Sequence, residues 1–140
     1  MRSNKCTYNG LIFDSKAERD RYIYLHSLEK KGVISGLKMQ VRYELIPAQY
    51  EEIETGEYYS RGEKKGQPKT KRVCVEQSVC YYADFVYDRE GQTVVEDTKG
   101  HTKNRRGMYN STYNVFSIKR KLMLYVYGIK VREIKKANKA

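Results

Sequence analysis

Apolar positions recur along this chain with two different periods, and each period predicts a different element. Between Ser15 and Lys31, Ala17, Tyr24, Leu25 and Leu28 share one helical face, while Arg19, Asp20, Lys30 and Lys31 lie off it. That pattern predicts a helix stopped by Gly32. A second stripe of Val115, Ile118, Leu122, Tyr125 and Val126 predicts a helix over about 115–127, with Gly128 as its stop. Alternation along Val73 to Tyr87 sets Val73, Val75, Val79, Tyr81, Ala83, Phe85 and Tyr87 on one face of a single long strand. A turn at Asp88 to Gly91 leads to a returning strand over Thr93 to Lys99, and Val41 to Pro47 and Ile129 to Ile134 read as shorter strands. Gln49 to Arg72 combines Gly56, Gly62, Gly66 and Pro68 with dense charge, which predicts an exposed, flexible polar excursion, of the kind a hairpin tip makes, without a core. Gly100 to Asn114 reads as a basic loop. The order helix, three strands, helix, strand, without internal repeat, predicts one α/β domain over residues 1–140 with a mixed central sheet.

Composition narrows the classes this pattern leaves open. The chain has 140 residues, 32% of them charged, and a mean hydropathy of −0.83. No apolar run approaches the roughly 18 residues of a membrane span. Met1 to Asn9 lacks the apolar stretch of an export signal, so a cytoplasmic protein is expected. Cys6, Cys74 and Cys80 are odd in number and widely spaced, and Cys74 and Cys80 fall six residues apart on the one predicted strand, so packing thiols are expected rather than a disulfide framework. Two histidines, His26 and His101, offer no zinc-ligand spacing.

The net charge of +11 is unevenly placed. Residues 1–98 carry 16 basic and 16 acidic side chains, whereas residues 99–140 carry 12 basic ones and a single acid, Glu133. A segment so basic that also holds an amphipathic helical pattern points to a polyanionic partner, nucleic acid or an acidic membrane surface.

The chemistry concentrates at Val94-Val95-Glu96-Asp97-Thr98-Lys99-Gly100. On a strand, Asp97 and Lys99 share a face about 6.6 Å apart. A carboxylate there can hold a divalent cation, and the lysine can orient a water and offset charge on a phosphate in hydrolysis. Acid-x-lysine occurs five times in the chain, but only this copy ends an apolar strand and is followed by glycine. Asp84, in Tyr82-Ala83-Asp84-Phe85-Val86, would lie opposite Glu96 or Asp97 according to the hairpin register. A carboxylate on so apolar a strand needs a partner, which a metal, Lys99 or an arginine would equally supply. Glu18, at the margin of the first helix's apolar face, is a third acid, although Ser15-Lys16-Ala17-Glu18 also has the form of a capping box.

An acid on the first helix, an acid on a strand and acid-x-lysine on the next resemble the PD-(D/E)XK nuclease superfamily. Phe13 to Glu18, Tyr82 to Phe85, Val94 to Gly100 and Lys119 to Leu122 are similar to a small phage-encoded family long described only as a domain of unknown function. Ala83 stands where the superfamily signature often has proline. The resemblance implies an αβββαβ restriction-endonuclease-like core and a Mg²⁺-dependent endodeoxyribonuclease, Mn²⁺ serving as substitute, that hydrolyses DNA through a metal-activated water in the host cytoplasm. It implies that Asp84 and Asp97 bind the metal with the Thr98 carbonyl, that Glu18 completes the site, and that Lys99 serves the water. Asp97 is preferred to Glu96 because it shares the face of Lys99.

The basic segment then supplies phosphate contacts. His101 to Tyr109 holds Lys103, Arg105 and Arg106, and the second helix adds Lys119, Arg120 and Lys121. Tyr109 and Tyr113 are candidates for stacking on unpaired bases, or ordinary packing residues among 14 tyrosines. Lys135, Lys136 and Lys139 read as a solvated end. A homodimer is compatible with cutting two strands; no membrane and no small-molecule cofactor are expected. The alternative is a non-catalytic DNA-binding module, or an inhibitor of a host nucleic-acid enzyme, on the same fold.

Overall fold

The computed structural model describes residues 5–100 and 103–135, so His101, Thr102, Lys136 and Lys139, and residues 1–4 of the amino terminus, lie outside the described residues. The fold is α/β, with two helices and a mixed four-stranded sheet. The chain divides into two compact units, residues 1–43 with 81–140, and residues 44–80.

The first unit opens with a hairpin, β1 (Cys6–Tyr8) against β2 (Leu11–Phe13), that the hydrophobic pattern did not predict. Its two-residue turn is Asn9-Gly10, both in the left-handed region, the pair such a turn favours. Helix α1 (Lys16–Lys30) follows, capped by the Ser15 hydroxyl, which accepts the Glu18 N–H at 3.1 Å. Its inner face is Leu25 flanked by Tyr22 and Leu28; Tyr24, expected inside, is half exposed.

The sheet runs β3 (Ser35–Ile46), β6 (Val79–Arg89), β7 (Gln92–Lys99), β8 (Arg132–Lys135) in spatial order. β3 starts six residues earlier than the apolar pattern suggested. β6 and β7 are antiparallel about the turn Glu90-Gly91, and β8 lies parallel to β7. Parallel neighbours require a crossover, which α2 (Ser111–Tyr127) provides. Leu25, Ile34, Phe85 and Tyr87 form the core between α1 and the sheet.

Helix α2 departs from expectation on two counts. It begins four residues before Val115, because Asn110 caps it by accepting the Tyr113 N–H at 2.8 Å. Its buried residues are Phe116 and Met123, whereas Val115, Ile118, Tyr125 and Val126 are exposed. Two apolar stripes compete on this helix, and the sheet takes the one that carries Phe116 and Met123. Gly128, at φ 69°, ends it as expected.

In the second unit, the stretch expected as a polar excursion forms an antiparallel ribbon of β4 (Gln49–Tyr58) and β5 (Pro68–Glu76). The single strand expected over Val73 to Tyr87 is broken at Gln77-Ser78 into β5 and β6. Cys74 and Cys80 therefore sit on different strands, and all three cysteines are free thiols. Among the described residues no helix is long and apolar enough to cross a membrane.

The burial on α2 has a direct test. Met123→Ala should cost about 2–5 kcal/mol in urea unfolding, while Ile118→Ala should stay within about 0.5 kcal/mol of the parent. A larger loss at Ile118 than at Met123 would mean that the helix buries the other stripe.

Candidate active site

Adjacent residues of β7 point to opposite faces of the sheet, and this alternation separates its two acids. Glu96, fully buried, faces α1: Arg21 donates to both its oxygens at 2.7 Å, and the Tyr87 hydroxyl donates to one of them. The bond to Glu96 raises the Arg21 pKa, while burial and the same carboxylate push the Tyr87 hydroxyl up to about 12. Glu96 is thus a clamp between helix and sheet.

Asp97 turns the other way. Lys99 lies on the same face, its Nζ 2.8 Å from one Asp97 oxygen, and the Tyr81 hydroxyl donates to the other at 2.7 Å. The Lys99 ammonium also sits 3.8 Å from the centre of the Phe116 ring, so α2 helps to hold it. Burial and the Asp97 charge hold the Tyr81 hydroxyl in its protonated, donating form.

Asp84 is brought alongside by the β6–β7 register. Phe85 is paired with Glu96, and one further step sets Asp84 beside Asp97. Asp84 accepts the Thr98 backbone N–H at 2.8 Å and the Gln40 side-chain amide at 3.2 Å. Gln40 lies within β3 at φ 51°, a left-handed conformation that costs a non-glycine residue about 1–3 kcal/mol. Glu18, one turn into α1, completes the group.

Glu18, Tyr81, Asp84, Asp97, Thr98, Lys99 and Lys119 all line one cavity of about 320 Å³, walled on the α2 side by Thr112, Val115 and Phe116. A smaller cavity on the β2–β3 side also touches Glu18, Gln40 and Asp84, together with Asp14. The carboxylates strain against one another. Burial, then the charges of Asp84, Asp14 and Asp97, push Glu18 up to about 7. Burial and Asp97 push Asp84 up to about 6, against the opposing pull of the Thr98 N–H, Gln40 and Lys99.

Glu18, Asp84 and Asp97, buried or half-buried around one cavity, are a hard, all-oxygen donor set, and a divalent cation would relieve the burial and like charge that raise Glu18 and Asp84, so the residues suit Mg²⁺ or Mn²⁺. As they stand, among the described residues no three His, Cys, Asp or Glu side chains are gathered closely enough to grip an ion. Both Asp97 oxygens are turned to Lys99 and Tyr81.

The sequence-derived phosphate contacts fall into separate places. Lys119 lines the cavity. Lys103, Arg105 and Arg106 are exposed on the loop before α2, whose turn is held by Asn104 accepting the Arg106 and Met108 N–H groups. Lys121 is exposed. Arg120 instead lies 3.5 Å from Glu133 and 3.3 Å from the Ser117 hydroxyl, a link between α2 and β8. Tyr109 and Tyr113 stack on each other, centroids 4.8 Å apart. Reading the sequence missed Tyr81, Gln40 and the Arg21–Tyr87 pair. Tyr81 was signalled only as an inward residue of β6, and nothing in the sequence marks Gln40 as left-handed.

Two measurements check this arrangement. Arg21→Leu strands a fully buried carboxylate and should cost about 3–5 kcal/mol of stability in denaturant titration. Glu18 binds its proton more tightly folded than unfolded, so its contribution to stability falls as pH rises from about 4.5 through about 7. In chelator, Glu18→Gln should therefore raise the melting temperature at pH 8 by a few degrees and leave it nearly unchanged at pH 4.

No curated protein and no solved structure matches the chain. A family model described as protein of unknown function (DUF1064) matches residues 1–139, and the chain belongs to that family.

Proposed function

We propose that this protein is a metal-dependent endonuclease of the PD-(D/E)XK type that hydrolyses DNA phosphodiester bonds. The observation that carries the reading is the meeting of Glu18 from α1, Asp84 from β6 and Asp97 with Lys99 from β7 around one open cavity.

Each side chain has a distinct task in such a site. Asp84 and Asp97 would hold a divalent cation, with Glu18 and the Thr98 carbonyl as further oxygen donors. When bound, the cation supplies charge neutralisation at the phosphate and acidifies a water. Lys99, fixed by Asp97 and Phe116, is positioned to orient the attacking water and to offset the charge that develops on the phosphate. Tyr81 keeps the Asp97 carboxylate turned into the cavity by donating to it. Lys119, on the opposite wall, is placed to neutralise a phosphate oxygen, and Lys103, Arg105 and Arg106 extend that grip along the backbone without reading sequence.

The second reading is a DNA-binding module that keeps the fold without the chemistry. The direct Lys99–Asp97 ion pair favours it, since that pair already satisfies the buried acid.

Purified protein should cut at least one of plasmid, single-stranded or branched DNA in Mg²⁺ or Mn²⁺, and should be silent in chelator. Asp97→Asn should abolish cleavage and retain DNA binding; Lys99→Met should slow cleavage by about 10²–10³-fold. Intact substrates throughout, with no Mn²⁺ binding in calorimetry that Asp84→Ala removes, would assign the protein to the binding module.

A further inference from the structure

The ribbon of β4 and β5 is divided by charge in a way that the neutral total over residues 1–98 conceals. Its stem carries Glu51, Glu52, Glu54, Glu57 and Glu76 against Lys69, Lys71 and Arg72. The bases are answered within the stem, Glu52 being paired across the ribbon with Arg72 and Glu57 lying 4.0 Å from Lys69, and acid remains in excess. The closing loop, residues 59–67, reverses the balance with Arg61, Lys64 and Lys65 against Glu63 alone.

That loop is built rather than slack. The Tyr59 N–H donates to the Gln67 carbonyl at 3.0 Å and the Gly66 N–H returns to the Tyr59 carbonyl at 2.8 Å. Inside this closure the Lys65 N–H bonds the Gly62 carbonyl and the Gln67 N–H the Lys64 carbonyl, with Gly62 and Gly66 both left-handed. The ammonium groups of Lys64 and Lys69 stand 5.7 and 5.6 Å from the Tyr59 ring centre. Of the loop cations, Lys64 is thus held beside an aromatic ring on an ordered turn, and less of its side-chain freedom is lost when an anion engages it.

The ribbon buries almost nothing of its own: every β4 residue is exposed, and on β5 only Lys69 and Val73 are half-buried. A two-stranded ribbon without a core is poorly stabilised by itself, and the ten residues of β4 span about 33 Å, which sets the loop well away from the base of the ribbon.

We propose that the loop of residues 59–67 is a second nucleic-acid contact, in which Lys64, Lys65 and Arg61 engage phosphates end-on. The stem, with an excess of acid, is held off the backbone by like charge, so the ribbon touches by its tip and does not lie along a groove. The proposal rests on the nucleic-acid partner of the preceding reading and goes beyond it by adding a contact outside the cavity and the carboxy-terminal basic segment.

The test is the salt dependence of binding to a labelled DNA duplex, followed by anisotropy in chelator so that no cleavage intervenes. Removing one cation that neutralises a phosphate lowers the log–log salt slope by about 0.9. Lys64→Gln with Lys65→Gln should lower it by about 1.8, while the stem variant Lys71→Gln should leave it unchanged; circular dichroism confirms that the ribbon is retained. An unaltered slope in the tip double variant, or an equal fall per residue at Lys71, would overturn the tip contact even if the wild-type protein cleaves DNA. Failure of the wild-type protein to bind duplex, single-stranded and branched DNA alike at low salt would overturn the tip contact and the nucleic-acid reading together.

Discussion

A carboxylate taken out of water must be paired, and this chain buries three on two neighbouring strands: Asp84, Glu96 and Asp97. Much of the structure answers that requirement. Glu96 is met by Arg21 and Tyr87, which draws α1 onto the sheet at a fixed rotation. With Arg21 held, Glu18 one turn earlier on the same helix lines the cavity with the other two acids. A single buried ion pair on one face of β7 thus helps to determine the placement of an acid that serves the other face.

The opposite face is left under tension. Asp84 and Asp97 stand side by side and share a single cation, Lys99 on Asp97; their other partners are neutral donors, a backbone N–H, an amide and a phenol. Gln40 donates to Asp84 from a strained backbone conformation, a cost that the surrounding sheet sustains. A protein selected for stability alone would replace such a cluster with packed apolar side chains, since buried ion pairs add little net stability. The retained strain is the physical ground for reading the cavity as a place of chemistry.

Charge outside the cavity follows a similar division of labour. Of the basic residues after position 98, Arg120 is drawn into a link between α2 and β8, while Lys119 faces the cavity and the loop arginines face solvent. Basic residues that look equivalent in the sequence are therefore of two kinds, one tied to an internal acid and one turned to the cavity or to solvent. The ribbon repeats the distinction: its stem bases lie against stem acids that outnumber them, and its turn is basic.

Elements whose signals are local were legible from the residues alone. Ser15 and Gly32 bound α1, Gly128 ends α2, and the alternation through Tyr87 marks β6, because caps and strand periods are properties of a few neighbouring residues. The pairing of Asp97 with Lys99 on one face was legible for the same reason. Matters that depend on distant partners were settled only in the folded chain. Folding placed Glu96 against Arg21, 75 residues away, and so gave the cavity to Asp97. It buried Phe116 and Met123 in preference to the stripe of Val115, Ile118 and Tyr125, since both stripes have helical spacing and only the packed neighbour distinguishes them. It also turned Gln40 left-handed toward Asp84, a conformation that no side-chain preference announces and that only the charge across the sheet makes worth its strain.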